Sequence, residues 1–414
     1  MALGGQSHES VEILLQYADL VGGRAQASII GRGNRVNLPL AALINGQAAH
    51  VLDFDDTYAS SETTLHGTAP VYSAALAIGE WQRASGADLL AAFVLGFEVA
   101  ARVALALGPL HYHAGWHVTG TAGRFGAAAA AGRLLGLTES QIATALGLVA
   151  TQAGGMKAVY GTMTKAMHAA RAAHDGVAAA LLAQRGFTCA EDAIEANLGF
   201  LHLYTREAFP ERLTTSTSVG WAVLEDGFKP YPCGVLTHAT IDGAVEALDG
   251  TGVRSDDVEL VEARVNEYVA SVTGKPNPMT GLEAKFSAQH CVAVVIRDGR
   301  PVREEDFDDA RVRDPELVAL RARVRLLPID DFAKDRAHVT VRLRDGRFLE
   351  ADVPHARGTP SRPLDDDGLA QKFLGFAESI LGSRAERLLA ACWALDQRGD
   401  CRRLLTLTRP IAQR

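Results

Sequence analysis

The feature of this sequence that most constrains its fold is a run of small residues, GTAGRFGAAAAAGRLL, at Gly120–Leu135. A helix made of such small side chains has little apolar surface, so it is stabilised only when neighbouring helices approach closely. The run therefore predicts a buried helix with close helical neighbours. Only 6% of the residues are aromatic, which also favours packed helices over a β-sandwich.

The periodicity of apolar residues divides the chain into three parts. Residues 8–183 are helical in pattern, with capping boxes at Ser85–Asp88 and Thr138–Gln141. Further helices are predicted at Thr164–Gln184, His238–Leu248, Leu369–Leu381 and Arg387–Leu395. Strands are predicted at Val258–Val269, Arg323–Leu327, His338–Leu343 and Arg347–Val353, the last two joined by a hairpin turn at Arg344-Asp345-Gly346.

This order predicts a mainly α protein with an α+β part. Residues 1–226 and 359–414 would form one large all-helical domain. Residues 227–358 would form a smaller α+β domain inserted between them. A chain of 414 residues is long enough for two such domains.

Composition argues against several classes of partner. The net charge is −8 and no run of Lys or Arg forms a basic patch, so nucleic acid is not an expected partner. Polar residues interrupt the apolar stretches before they reach about 18 residues, so we expect no membrane helix. The first residues, MALGGQSHES, lack the charged and apolar regions of a signal peptide.

The metal-binding residue types are scattered. Five cysteines include no CxxC pair, and thirteen histidines show no HExxH spacing. Unpaired cysteines are typical of a reducing cytoplasm, where we expect the protein to be located. Nothing in the sequence requires a metal, and none is assigned to the site.

The richest cluster of polar residues follows an apolar helical pattern that ends near Leu52. Three carboxylates, Asp53, Asp55 and Asp56, come together there, and Thr57 and His66 follow. Acids at a buried helix end are costly unless they are paired or used. The alternative is an ordinary helix end with a solvated acidic loop.

Two clusters occur further along the helical region. His117 precedes the run of small residues, at a helix start whose N–H groups suit a carboxylate ligand. In GTMTKAMH, Thr162 precedes a helix on which Lys165 and His168 are one turn apart. Lys165 is placed to bind an anion or to donate a proton.

Two more clusters lie in the α+β part. Two prolines fix the backbone beside Lys229 in KPYPCGVLTH, and TGLEAKFSAQHC contains Lys285 and His290. Taken singly, a histidine is more often a helix cap and a lysine is more often solvated. Their recurrence within one chain is what favours a functional site.

The chain has no phosphate-binding loop, nucleophile elbow or dinucleotide fingerprint. Carboxylate, imidazole and ammonium groups suit proton transfer at a carbon next to a carboxylate. Cations would hold the substrate carboxylates while an imidazole or carboxylate takes the proton. No cofactor is required for such chemistry.

Five long blocks resemble the MmgE/PrpD family. They are ALINGQAAHVLDFDDT, HAGWHVTGTAGRFGAAAAAGRLLGL, GTMTKAMHAARAAHDGVAAALLAQRGFT, KPYPCGVLTHATID and TGLEAKFSAQHCVAVVIRDGR, in this order from Ala41 to Arg300. Members include 2-methylcitrate dehydratase, cis-aconitate decarboxylase and iminodisuccinate epimerase. The resemblance implies a helical domain with a smaller α+β lid, usually a homodimer, with no metal or organic cofactor.

The resemblance also implies site residues. Asp53, His66, His117, Lys165 and Lys229 would be catalytic: the lysines bind carboxylates or donate a proton, the histidines are acid or base, and Asp53 orients an imidazole. A second set would bind a small carboxylate substrate, namely Thr57, Thr162, His168, Lys285 and His290.

The sequence departs from the decarboxylase pattern at several positions. Gly67 replaces the proline after His66, and the connection between Tyr58 and Leu65 is longer. Gly234 stands in place of a histidine and His290 in place of a tyrosine. MALGG resembles the end of the family's first helix, so we expect that helix to be incomplete.

These departures count against cis-aconitate decarboxylation. The sequence predicts a hydro-lyase that acts on a small hydroxy-polycarboxylate. The alternatives are an epimerase or a decarboxylase that uses the same proton transfer, and a non-catalytic binding protein.

Overall fold

The computed structural model describes residues 1–60, 62–215 and 220–409. In those residues the chain is mainly α-helical with a small α+β part, as predicted. The helices in chain order are α1 (Ala2–Gly5), α2 (Glu9–Val21), α3 (Leu38–His50), α4 (Thr68–Gln82), α5 (Gly86–His113), α6 (Val118–Thr121), α7 (Gly123–Leu135), α8 (Glu139–Ala150), α9 (Met163–Gln184), α10 (Phe200–Tyr204), α11 (His238–Leu248), α12 (Glu267–Thr273), α13 (Gly281–Ala284), α14 (Ala288–Asp298), α15 (Asp309–Val312), α16 (Pro315–Arg321), α17 (Asp366–Leu381), α18 (Arg384–Trp393) and α19 (Arg402–Leu407). The strands are β1 (Ala27–Ser28), β2 (Arg35–Val36), β3 (Asp56–Ala59), β4 (Thr64–Leu65), β5 (Asp226–Phe228), β6 (Val258–Asn266), β7 (Val324–Ile329), β8 (Ala337–Leu343) and β9 (Phe348–Val353).

The chain divides into two compact units. Unit 1 contains Met1–Ala158, Thr164–Asp226 and Asp365–Arg414, and unit 2 contains Val159–Met163 and Gly227–Leu364. The predicted first boundary, after residue 226, coincides with the start of the long segment of unit 2. The predicted second boundary, after residue 358, falls six positions before its end at Leu364.

The small residues of unit 1 lie where helix backbones touch. A Cβ atom on Gly96 of α5 would lie 2.6 Å from the carbonyl oxygen of Gly126 on α7. A Cβ atom on Gly176 of α9 would lie 2.6 Å from the backbone nitrogen of Ala128. The run of small residues thus serves close helix packing, as predicted, although it forms two helices, α6 and α7, rather than one.

Side-chain caps fix the starts of two of these helices. The Ser85 hydroxyl accepts a hydrogen bond from the backbone N–H of Asp88 at the start of α5. Thr138 and Gln141 form a complete capping box at the start of α8. The predicted capping box at Thr138 is confirmed. At Ser85 the hydroxyl half of the predicted box is present, but the Asp88 carboxylate accepts from the Ser85 hydroxyl at 2.7 Å. Both caps satisfy N–H groups that the first helical turn leaves without backbone partners.

Helix α5 is long and apolar enough to cross a bilayer, although the sequence analysis expects no such helix. Of its most apolar window, 56% is buried inside the protein. A buried core helix meets the same criteria of length and composition. This finding alone does not place the chain in a membrane.

Unit 2 is built on a four-stranded sheet in the order β7-β6-β8-β9. Strands β6 and β7 are parallel, and the other two pairs are antiparallel. Helix α11 packs against β8 and β9. The predicted hairpin at Arg344-Asp345-Gly346 joins β8 and β9, with Gly346 at a φ of 88°.

The prediction for the first strand of this sheet was wrong over its last three residues. Strand β6 ends at Asn266 rather than at Val269, and α12 follows directly. The Asn266 side chain accepts a hydrogen bond from the backbone N–H of Tyr268 at 2.9 Å and so caps that helix. The alternation of apolar and polar residues continues to Val269, but the cap at Asn266 starts a helix there and so ends the strand.

Candidate active site

The site in unit 1 begins where α3 ends. Helix α3 is buried along almost its whole length, and Asp53 follows it with a φ of 51°. This left-handed conformation is uncommon for a residue other than glycine, although aspartate tolerates it better than most. It turns the chain sharply, so the acids after the helix point to different partners.

Asp53 is paired with a lysine. Its Oδ1 atom lies 3.0 Å from Nζ of Lys165, near the start of α9, and both side chains are buried. A buried charge pair of this kind is costly to desolvate and gains little stability over an apolar pair. The contact of Asp53 that the structure shows is with the Lys165 ammonium group, and its predicted role of orienting an imidazole stays a prediction.

A different aspartate orients an imidazole. The Nδ1–H group of His50, in the last turn of α3, donates to Oδ2 of Asp55 at 2.6 Å, and both residues are buried. The sequence placed Asp55 in the acidic cluster without a role in the site, and His50 was not predicted at all. The available signal was a histidine in an apolar helix, directly before a block of acids.

His66 and Thr57 are brought together by the antiparallel pair β3 and β4. The Nδ1–H group of His66 donates to the carbonyl oxygen of Asp56 at 2.9 Å, and the hydroxyl of Thr57 lies 3.1 Å from the same nitrogen. The backbone N–H of His66 donates to the Thr119 hydroxyl at 3.0 Å. His66 is therefore held in a fixed orientation with its proton on Nδ1.

His117 and His168 form a second pair. Their Nδ1 atoms are 2.9 Å apart, at the start of α6 and on α9. The backbone N–H of His117 donates to Gly155. Gly155 has a φ of 137°, and a Cβ atom there would lie 3.2 Å from Cγ of His168. The loop at Gly155 therefore fits closely around the two rings.

The electrostatics of this region favour neutral imidazoles. Burial, followed by the charge of Lys165, holds the pKa of His117 well below its usual range. Burial, followed by Lys165 and Arg124, lowers the pKa of His168 to about 4. At neutral pH both rings are uncharged, so His117 can accept a proton. Burial and the neighbouring Asp55 raise the pKa of Asp56.

Three histidine rings meet in this unit. The ring centroids of His50 and His66 are 4.8 Å apart, and those of His117 lie 5.9 and 6.2 Å from them. The side chains come from α3, from the end of β4 and from the start of α6. No metal-ligand spacing in the sequence predicts this cluster, because its members lie far apart in the chain.

The remaining predicted residues belong to unit 2. The ammonium group of Lys285 donates to Pro232 O and pairs with Glu304, both at 2.8 Å. The Nε2–H group of His290 donates to Asp306 O at 2.9 Å. Both side chains hold the segment around Glu304–Phe307, and their predicted contact with substrate stays a prediction.

Lys229 and Thr162 differ in exposure. Lys229 is buried, with 2% of its surface exposed. The hydroxyl of Thr162 donates to Val159 O at 2.7 Å at an exposed position. Their predicted roles in catalysis and substrate binding stay predictions.

At two positions where the sequence departs from the decarboxylase pattern, a neighbouring aromatic ring occupies the space next to the glycine. A Cβ atom on Gly67 would lie 2.6 Å from Cδ2 of Phe97, so the proline of the pattern does not fit beside this ring. A Cβ atom on Gly234 would lie 3.1 Å from Cδ1 of Phe286. A side chain at Gly234 would require Phe286 to shift by a few tenths of an ångström.

The fold and the matched domains define the class of this protein. The model of the MmgE/PrpD N-terminal domain matches residues 1–212, and that of the MmgE/PrpD C-terminal domain matches residues 231–397. This chain belongs to the MmgE/PrpD family.

Similar proteins in this family are named as cis-aconitate decarboxylases. The one from Homo sapiens is 27% identical over 427 residues, which cover 97% of this chain and 86% of that protein. The one from Mus musculus is 26% identical over 96% of this chain and 84% of its own length. One from Aspergillus terreus is 27% identical over 92% of this chain and 83% of its own length.

Proposed function

We propose that this protein is a hydro-lyase that acts on a small hydroxy-polycarboxylate without a cofactor. The observation that carries the proposal is the buried ion pair of Asp53 and Lys165 in the same unit as a buried, neutral His117. Lys165 is the charge that most lowers the pKa of His117. Burial is the larger cause of that lowered pKa. An ammonium group near a buried imidazole that is neutral, and can therefore accept a proton, suits proton abstraction next to a bound carboxylate.

The reaction assigns a role to each group. The ammonium group of Lys165 binds a substrate carboxylate and stabilises the negative charge that develops on it as the neighbouring C–H bond breaks. His117 takes that proton. The carbon–oxygen bond then breaks, the departing hydroxyl takes the proton from the protonated His117 and leaves as water, and a carbon–carbon double bond remains with His117 neutral again.

Asp53 and Thr57 act on these groups. The Asp53 carboxylate positions Lys165 through the 3.0 Å contact. Thr57 and the Asp56 carbonyl keep the His66 proton on Nδ1, so His66 offers a second proton acceptor at Nε2.

Decarboxylation is the second candidate, and the names of the relatives favour it. It uses the same carboxylate binding, but carbon dioxide departs instead of water. The glycine at position 234 and the histidine at position 290 argue against it, because the decarboxylase pattern has a histidine and a tyrosine there.

Proton NMR in deuterated water tests the proposal. The protein would be incubated with 2-methylcitrate, citrate, cis-aconitate and iminodisuccinate in turn. We expect an alkene product from a hydroxy acid, with deuterium entering the carbon next to a carboxylate in the reverse direction. A decarboxylated product would select the second candidate, and an exchanged or inverted substrate without elimination would select an epimerase.

Two variants test the site. Lys165→Ala should abolish turnover, while Arg171→Ala removes a cationic residue from the exposed side of the same helix and should keep it. Circular dichroism would confirm that both variants fold. Full activity in Lys165→Ala would overturn the site assignment, and no turnover with any acid by the unmodified protein would favour a binding protein.

A further inference from the structure

We propose that His50, His66 and His117 form a binding site for a divalent transition metal of the zinc type. One ring nitrogen from each histidine lies within 4.8 Å of the others, and all three side chains are buried. Three imidazoles with one open position form a common zinc ligand set.

The outer contacts of His50 fit this site. Its Nδ1–H group donates to the Asp55 carboxylate at 2.6 Å, so Nε2 is the nitrogen that would coordinate. A carboxylate that accepts the second ring N–H of a histidine ligand is a recurrent feature of metal sites, because it fixes the ring and makes the ligand more basic.

The outer contacts of His66 and His117 are similar. A carbonyl oxygen only accepts hydrogen bonds, so the contact of His66 Nδ1 with Asp56 O, at 2.9 Å, places the proton on Nδ1. The Nδ1 atom of His117 contacts His168 at 2.9 Å. In each of the three rings the Nδ1 atom is thus within hydrogen-bond distance of another residue, and Nε2 is the atom that would coordinate the metal.

Distance and charge are compatible with a cation. Zinc–nitrogen bonds of about 2.0–2.1 Å in a tetrahedron place the nitrogens roughly 3.4 Å apart. The nitrogens, which lie within 4.8 Å of one another, would therefore close in by up to about 1.4 Å, which small side-chain rotations supply. The Asp55 carboxylate contacts the His50 ring directly, and the charge of the nearby Lys165 is paired with Asp53, so a carboxylate lies next to the ligand set and offsets part of the charge of a bound cation.

Metal binding has a consequence that rests on the proposed function. A metal bound to the Nε2 atoms of His66 and His117 would occupy the lone pairs that accept protons. The metal would therefore inhibit turnover, and a chelator would restore it.

Binding is tested first, without an activity readout. The full, untagged chain would be treated with a chelator, desalted and titrated with Zn²⁺ in a calorimeter and with Co²⁺ in a spectrophotometer. We expect one ion per chain and intense Co²⁺ absorption typical of tetrahedral coordination. Absence of binding, or weak absorption typical of octahedral coordination, would overturn the proposal.

Variants locate the metal. His50→Gln should weaken Zn²⁺ binding by more than 100-fold, and Asp55→Asn, which keeps all three imidazoles, should weaken it by about 10- to 100-fold. His202→Gln removes an exposed histidine of α10 and should leave the affinity unchanged. Unchanged affinity in both site variants, with circular dichroism showing that they fold, would contradict the assignment.

Inhibition is tested separately. If Zn²⁺ binds at His50, His66 and His117 but turnover is unchanged, the proposed overlap with the proton-transfer groups is wrong while the metal site stands. If no carboxylate is turned over at all, the proposed function fails, and the calorimetric result still decides the metal site.

Discussion

At the scale of single residues, Asp53 combines an uncommon backbone conformation with a buried charge. Its φ is 51°, and its carboxylate holds Lys165 at 3.0 Å. Strain at one residue persists only where the surroundings fix it, and such residues cluster at functional sites. The ion pair is one contact that fixes it.

Replacing this charge should cost both stability and activity. Asn tolerates the left-handed conformation, so Asp53→Asn mainly removes the charge and should lower the free energy of unfolding by about 3 kcal/mol. We expect kcat/KM to fall by about 100-fold or more. Urea denaturation and the NMR assay would measure the two effects.

A double variant provides the control for this prediction. Asp53→Asn combined with Lys165→Met removes both charges, so it should recover most of the stability and none of the activity. If the double variant is no more stable than Asp53→Asn, the ion pair is not the source of the loss.

Gly155 offers a second test at this scale. Alanine there would have to adopt a φ of 137° and would lie 3.2 Å from Cγ of His168, which should cost about 1–3 kcal/mol and displace the histidine pair. Gly154→Ala is the matched control, since its Cβ atom would meet no atom within 4 Å. Equal unfolding free energies and equal activities of the two variants would contradict this account.

The types of side chain at the candidate site were easier to predict from the sequence than the contacts between them. It selected Asp53, Lys165 and His117 as candidates, which the structure places in one unit, but it expected Asp53 to orient an imidazole and did not select His50. Which of the three acids Asp53, Asp55 and Asp56 faces which partner depends on the positive φ of Asp53. Residue type and spacing do not reveal that conformation.

At the scale of elements, the contact between α5 and α7 depends on Gly96 and Gly126. Gly96→Ala should lower the free energy of unfolding by about 1–3 kcal/mol, because its Cβ atom would lie 2.6 Å from a backbone oxygen. Gly375→Ala on α17, where no atom lies within 4 Å, should instead raise it by about 0.5–1 kcal/mol. Urea denaturation would measure both, and destabilisation by both changes would contradict the packing argument.

Whether a segment forms a helix or a strand could be predicted from local sequence signals. Some element boundaries and the pairing of the strands could not. The caps at Ser85 and Thr138 act over three residues, so the sequence contains them in full. The parallel pairing of β6 with β7 joins residues such as Val261 and Val324. No local pattern specifies a register over such a separation.

At the scale of the whole molecule, the sequence predicts a change from a helical part to an α+β part after residue 226. It does not predict that a short segment before this position also belongs to unit 2. Residues 159–163 belong to unit 2 although helical segments surround them. Their contacts explain the assignment. Tyr160 stacks on Phe286, with ring centroids 5.3 Å apart, and Gly161 approaches Glu283.

Each unit also contains a buried histidine that makes its stability depend on pH. Burial lowers the pKa of His111 in unit 1 and of His290 in unit 2 to about 4, whereas an unfolded histidine titrates near about 6.5. As the pH falls from about 6.5 to about 4, the unfolded chain binds protons that the folded protein does not, so stability falls over this window and no further below it.

The pH effect should amount to at most about 3 kcal/mol per histidine. Urea denaturation at a series of pH values between about 7 and 4 would compare the unmodified protein with His111→Gln and His290→Gln. Glutamine can still donate to Tyr204 O or Asp306 O, the acceptors of these rings, but it does not titrate. Each variant should therefore lose stability less steeply on acidification, because fewer protons distinguish its unfolded from its folded state. A pH dependence identical to that of the unmodified protein in both variants would show that other groups, such as the carboxylates, account for the whole acid response.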